Sequence, residues 1–128
     1  MIRIIVSLLI VVPVVFFTFA AAGNDQPDSL TEIVENIEDY RGTAVTMQLR
    51  LKYLDRVFGK VVFYDKDNID IEFDISSPRE QRRLAGEILN LHRGVYYNVR
   101  FMVRDVGALG LVIGDVKSFK PVALDSLP

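Results

Sequence analysis

Asp65, Asp67, Asn68, Asp70 and Glu72 place five oxygen-bearing side chains within one short stretch, a density that a hard cation such as Ca²⁺ or Mg²⁺ can use. The spacing departs from the EF-hand loop, because Ile69 occupies the third alternate position and no Gly follows. The same residues also read as a hairpin turn, which favours Asp and Asn, running into the solvated face of a strand. A metal-dependent hydrolase built on Asp65 to Glu72 is one functional reading.

A second constellation is basic. Arg50, Lys52, Arg100 and Arg104 alternate with apolar residues and are expected to project outward from two strands. Tyr64 and Tyr96 stand close enough in the pattern to stack on a base or sugar. Arg50, Lys52, Tyr64, Arg100 and Arg104 are therefore the candidate ligand-binding residues, an anion stripe suited to single-stranded nucleic acid or an oligosaccharide. The competing reading pairs these cations with Asp70, Glu72 and Asp74 on a solvated face. Net charge is -2, whereas a nucleic-acid binder usually carries a basic excess that displaces counterions from phosphates.

Other residues offer less. His92 is the only histidine and falls at the end of a helical stretch, where an imidazolium interacts favourably with the dipole. No Ser or Cys is spaced to form a dyad with it, so no catalytic residue is assigned. Cysteine is absent, which excludes disulfides, thiolate metal sites and lipid acylation at Cys. Arg79, Arg82 and Arg83, with Glu80 and Glu87 among them, read as a solvated helix face. Gly107 to Gly114 lacks phosphate-loop spacing, and no cofactor motif is found.

The elements that must position these residues follow from periodicity. Residues 1–22 are an address: Arg3, then an apolar run from Ile4 to Phe19, then Ala20 and Ala22 as the small pair before cleavage at Gly23. An uncleaved anchor is the rival, since the run approaches the about 20 residues that span a bilayer. Residues 23–28 form a linker. Ser29 and Glu32 make a capping box, and Leu30, Ile33, Val34, Ile37 and Tyr40 form one stripe of a helix over 29–42.

From Thr43 the period becomes two, with Val45, Met47, Leu49, Leu51 and Tyr53 facing one way, and the strand is expected to reach Phe58. Further strands are expected at Val61–Asp65, Ile69–Ile75, Val95–Arg104 (with Val95 inward) and Leu111–Phe119, the last with a bulge at Gly114-Asp115. Between the third and fourth, Ser77, Pro78 and Glu80 open a helix that carries Leu84, Ile88 and Leu91 and ends at Arg93-Gly94.

The order strand, strand, strand, helix, strand, strand with a long first strand matches the OB fold, a five-stranded Greek-key barrel. The expectation is a mainly β chain, an OB-like barrel over 43–121 preceded by a short amphipathic helix, with a tail at 122–128. Tyr40-Arg41-Gly42 before the first strand and Arg93-Gly94-Val95-Tyr96 before the fourth resemble exported bacterial OB-fold proteins. The resemblance is closest to the tRNA anticodon-binding-like group, whose name records fold similarity more than tRNA binding, and it covers roughly 40–121. Together these features give the leading reading: a non-enzymatic, exported, periplasmic or secreted module that binds a protein, peptide or small ligand. Membrane contact is expected only through an uncleaved leader.

Overall fold

The structure is a computed structural model that describes residues 26–122. The leader residues Ala20, Ala22 and Gly23 and the tail from 123 lie outside the described residues.

Two short helices open the described chain, α1 (Leu30–Glu35) and α2 (Ile37–Tyr40). The single helix expected over 29–42 is interrupted at Asn36, whose φ of -121° leaves the helical region. The cause is local: both the backbone N and the side-chain Nδ2 of Asn36 donate to Glu32 O, at 3.1 and 3.0 Å. A short amide side chain competing for backbone partners unsettles a helix interior. At the start, Ser29 Oγ accepts from Glu32 N, while the Glu32 carboxylate reaches back to Asp28 N, one residue before the expected cap.

Strand β1 (Ala44–Asp55) buries Val45, Met47, Leu49 and Leu51, as the alternation requires. Lys52 is then the extra residue of a bulge against β2 (Lys60–Tyr64). One inserted residue exchanges the two faces of a strand, so Tyr53, expected inward, is exposed and Leu54 is half-buried instead. The strand ends at Asp55, short of Phe58, because Asp55 Oδ1 accepts the N–H groups of Val57 and Phe58 and folds the chain into a turn.

Strand β3 (Asp70–Asp74) follows the hairpin. The next helical stretch is again divided, into α3 (Pro78–Arg83) and α4 (Ala85–Leu89), at the fully buried Leu84. Strand β4 (Tyr96–Val106) and β5 (Val112–Pro121) complete the chain. Val95 precedes β4 and faces solvent, correcting the inward assignment. The irregularity in β5 falls at Lys117, while Gly114 opposes a bulge in β4 at Arg104. A side chain at Gly114 would approach Met102 O to 2.8 Å, so this crossing admits glycine only.

The strands close into a barrel in the order β1-β2-β3-β5-β4, an OB-type barrel. Closure is parallel, through the single pair Glu72↔Ile113. Phe63, Phe73, Tyr97, Phe101 and Phe119 fill the middle, with ring centroids 5.4–6.2 Å apart. Both ends are plugged. Leu84 and Ile88 close the end where β1 and β3 finish. Leu30 and Ile33, both fully buried, join the same core from α1. Each such side chain contributes about 1.5–3 kcal/mol of hydrophobic free energy, so α1 is an integral part of the barrel.

Candidate functional site

The residues of the basic stripe separate. Arg50 and Tyr64 are paired across β1 and β2, and Arg50 and Tyr96 across β1 and β4. Because paired residues of neighbouring strands share a face, the guanidinium comes to rest between two rings. Its Cζ lies 4.7 Å from the Tyr96 centroid and 6.0 Å from that of Tyr64. Arg50 Nε donates to Gly94 O at 3.1 Å. Its terminal nitrogens have no hydrogen bond or ion pair among the described residues.

The other cations have partners or stand apart. Lys52, displaced by the bulge, donates to Asp70 Oδ2 at 2.7 Å, and this bond raises its pKa above the ordinary value. Arg104 meets Asp115 at 3.5 Å. Arg100 is exposed and pairs in register with Thr46 and Ser118. It stands four residues along β4 from Tyr96, about 13 Å away at the rise of a strand. The five candidates are thus one convergent pair, Arg50 and Tyr64, two ion-paired cations and one distant arginine.

The acidic cluster is divided too. Asp65 is 2% exposed, and its oxygens accept from the N–H groups of Asp67, Ile69 and Leu30 at 3.0, 2.9 and 2.8 Å. Asp70 serves Lys52, and Glu72 pairs with Lys60 at 2.7 Å. Asp74 accepts from Ser76 N at 2.8 Å. Among the described residues, no group of three or more His, Asp or Glu side chains is placed to hold a metal ion.

The lone His92 has an exposed side chain, and its backbone N–H donates to Tyr97 Oη, which itself donates to Asn90 O. Arg83 is bound to Glu80 and to Val116 O beside the β5 bulge, so it fastens α3 to the barrel.

These pairings have a pH signature. Asp74, Glu80 and Asp105 are held below their ordinary pKa values, chiefly by the Ser76 side chain, by Arg83 and by the Val106 N–H respectively. A depressed carboxylate pKa stabilises the fold above the unfolded value, and that stabilisation is lost as pH falls through the folded value. Lys52 and Lys60 are raised above 10.5, first by hydrogen bonds to Asp70 and Glu72. Their contribution is complete below 10.5 and is lost as pH rises through the folded values. Melting followed by circular dichroism should show a plateau bounded by a fall below the carboxylate reference values of 3.8–4.5 and another above 10.5.

Arg50, Tyr64 and Tyr96 line a groove of about 470 Å³ with Thr46, Gln48 and the linker residues Gln26 to Asp28. Gln26 Oε1 accepts from Thr46 N at 2.7 Å. Nothing in the composition of the linker marks Gln26, because its partner lies twenty residues away on another element. The hairpin beside the groove was legible, since Asp favours such turns, and Asp65 Oδ1 accepts from Asp67 N and Ile69 N there. The groove is therefore a cationic head clamped by aromatic rings and bordered by strand backbone. Compared with known proteins, the chain matches no family model, no curated protein and no solved structure.

Proposed function

We propose that this chain is a non-enzymatic binding module that captures a carboxylate-bearing ligand in the groove at Arg50, Tyr64 and Tyr96, and that it works after export. The observation that carries the reading is the state of Arg50. A guanidinium held by Gly94 O and two rings has lost most of its conformational freedom, yet its outer nitrogens have no partner among the described residues. An arginine ordered in advance gives up little entropy on binding, and its fork matches a carboxylate.

Export is supported by residues 1–22, where a basic start, an apolar run and Ala20 and Ala22 precede Gly23. Among the described residues no helix is long and apolar enough to cross a membrane. The junctions before β1 and β4 support placement with the tRNA anticodon-binding-like OB group. The outer face of β3, with Asp70, Glu72 and Asp74, disfavours a polyphosphate backbone.

The test is a titration of the ¹⁵N-labelled chain with N-acetylserine and with its uncharged amide. The carboxylate is expected to shift the Arg50 Nε–H resonance and the rings of Tyr64 and Tyr96, and the amide to leave them in place. Arg50→Ala should weaken the carboxylate at least about tenfold, since each charge-assisted hydrogen bond of the fork contributes about 1.5–3 kcal/mol. Arg100→Ala should leave it unchanged. Equal responses to acid and amide would refute the reading.

A further inference from the structure

Among the described residues, one stretch of β1 has an edge with no strand beside it. Val103 N donates to Thr43 O at 2.9 Å, and Leu51 N donates to Val95 O at 3.3 Å. Backbone groups of an extended chain alternate in direction, so Thr43, Val45, Met47, Leu49 and Leu51 turn their N–H and C=O toward β4. Thr46, Gln48 and Arg50 turn theirs the other way. Arg50 meets Tyr64 there, and β2 ends at Tyr64. Among the described residues, no strand lies on that edge beside Thr46 and Gln48. The Thr46 N–H is taken by the side-chain carbonyl of Gln26 at 2.7 Å, an amide oxygen standing where a neighbouring strand would present its own. No hydrogen bond reaches the Gln48 backbone on that side among the described residues.

We infer that this edge is a strand-addition site: an extended peptide running parallel to β1 pairs with Thr46 and Gln48, displaces the Gln26 side chain, and brings its C-terminal carboxylate to Arg50. The inference rests on the carboxylate reading of the groove and names its ligand class. Edge and guanidinium lie in one groove. The edge selects an extended main chain, whose N–H and C=O alternate as the strand's do. Arg50 selects the terminus, through two parallel charge-assisted bonds to a carboxylate.

Direction follows from position. Arg50 is C-terminal to Thr46 and Gln48, so only a peptide parallel to β1 ends beside it. Ala44 to Gln48 spans about 13 Å, the length of a pentapeptide that stops short of Tyr64 with its terminus at Arg50. Lys66 adds a cation at the groove, whereas Asp28 adds an acid. Asp65 lines it with both oxygens engaged by backbone N–H groups. The acid at Asp28 disfavours a run of negative side chains and leaves one terminal carboxylate as the better fit. A second copy pairing two-fold through the same edge would set β1 antiparallel to itself and bring no carboxylate to Arg50.

The experiment uses the full-length ¹⁵N-labelled chain and the probe acetyl-Thr-Val-Thr-Val-Ser with a free C-terminus. Two further versions are N-methylated at alternate residues of opposite parity, and one is amidated at the C-terminus. The free peptide is expected to bind at least tenfold tighter than N-acetylserine and to shift and protect the Thr46 and Gln48 amides. One N-methylated parity should lose that gain, and the other should keep it. Gln26→Ala, at an exposed residue, should tighten the free peptide about twofold to tenfold, because one competing hydrogen bond is gone.

If N-acetylserine engages Arg50 but both N-methylated peptides bind as the parent does, strand addition is overturned and the carboxylate reading stands. If neither N-acetylserine nor the peptide responds to loss of its charge, the carboxylate reading itself falls. A dimer that protects Thr46 and Gln48 without peptide would overturn the inference in favour of a second copy.

Discussion

Replacing Asp65 with Ala is expected to lower the unfolding free energy by about 3–5 kcal/mol, read as a fall in the urea midpoint at unchanged slope. The carboxylate is buried and accepts three backbone N–H groups. Two of these, from Asp67 and Ile69, shape the β2–β3 hairpin. The third comes from Leu30, the first residue of α1, where a helix leaves its N–H groups unpaired. A hydrogen bond to a charged group contributes about 1.5–3 kcal/mol. The two hairpin N–H groups can turn partly to water, so the total stays below three full bonds. The Leu30 N–H cannot, because Leu30 is fully buried. Asp65→Asn keeps one acceptor and should cost roughly half as much. Amide exchange at Leu30 and Ile33 should rise more than at Phe101 in either variant, since the lost bond ties α1 to the barrel. Uniform loosening across all three would contradict this account.

Gly59→Ala is the second large effect, a destabilisation of about 2–4 kcal/mol in the same urea experiment. Gly59 has φ of +64°, and a Cβ there would stand 2.4 Å from Ser76 Cα and 2.6 Å from Ser76 Cβ. The obstacle is backbone, so no side-chain rotation relieves it. Gly59 O also accepts from Ile75 N at 2.7 Å, which holds the start of β2 against the end of β3. Pushing Ser76 away breaks that approach and disturbs the cap of α3 at Ser77. Gly42→Ala separates the two causes. Gly42 has φ of +81° with open space around it, so only the left-handed penalty of about 1–2 kcal/mol applies. The two variants should therefore differ, and equal losses would show that the contact with Ser76 is harmless.

Local rules carried a large part of the architecture. The alternation of Val45, Met47, Leu49 and Leu51, and of Ile71 and Phe73, marks which side chains enter the barrel, because a strand's side chains have a period of two wherever pairing is regular. Ser29 and Ser77 cap helices where their spacing to Glu32 and Glu80 says they should. With the long first strand, the order of elements leads to a closed five-stranded barrel, since few topologies satisfy such an order without crossing connections.

What the sequence could not determine depends on partners distant in the chain. The bulge at Lys52 exists only against β2, and it alone turns Tyr53 outward and sends Lys52 to Asp70. The amphipathic stripe of Leu30 and Ile33 was legible, but its place as the second plug required Asp65 at the other side of the hairpin. Arg50, Lys52, Arg100 and Arg104 share a residue class and an alternating pattern, yet register divides them into one clamped guanidinium, two ion pairs and one exposed side chain. Periodicity is written by each residue's own neighbours in the chain. Register, and with it the groove between Gln26 and Arg50, is set by which strands meet, and that is decided only when the barrel closes.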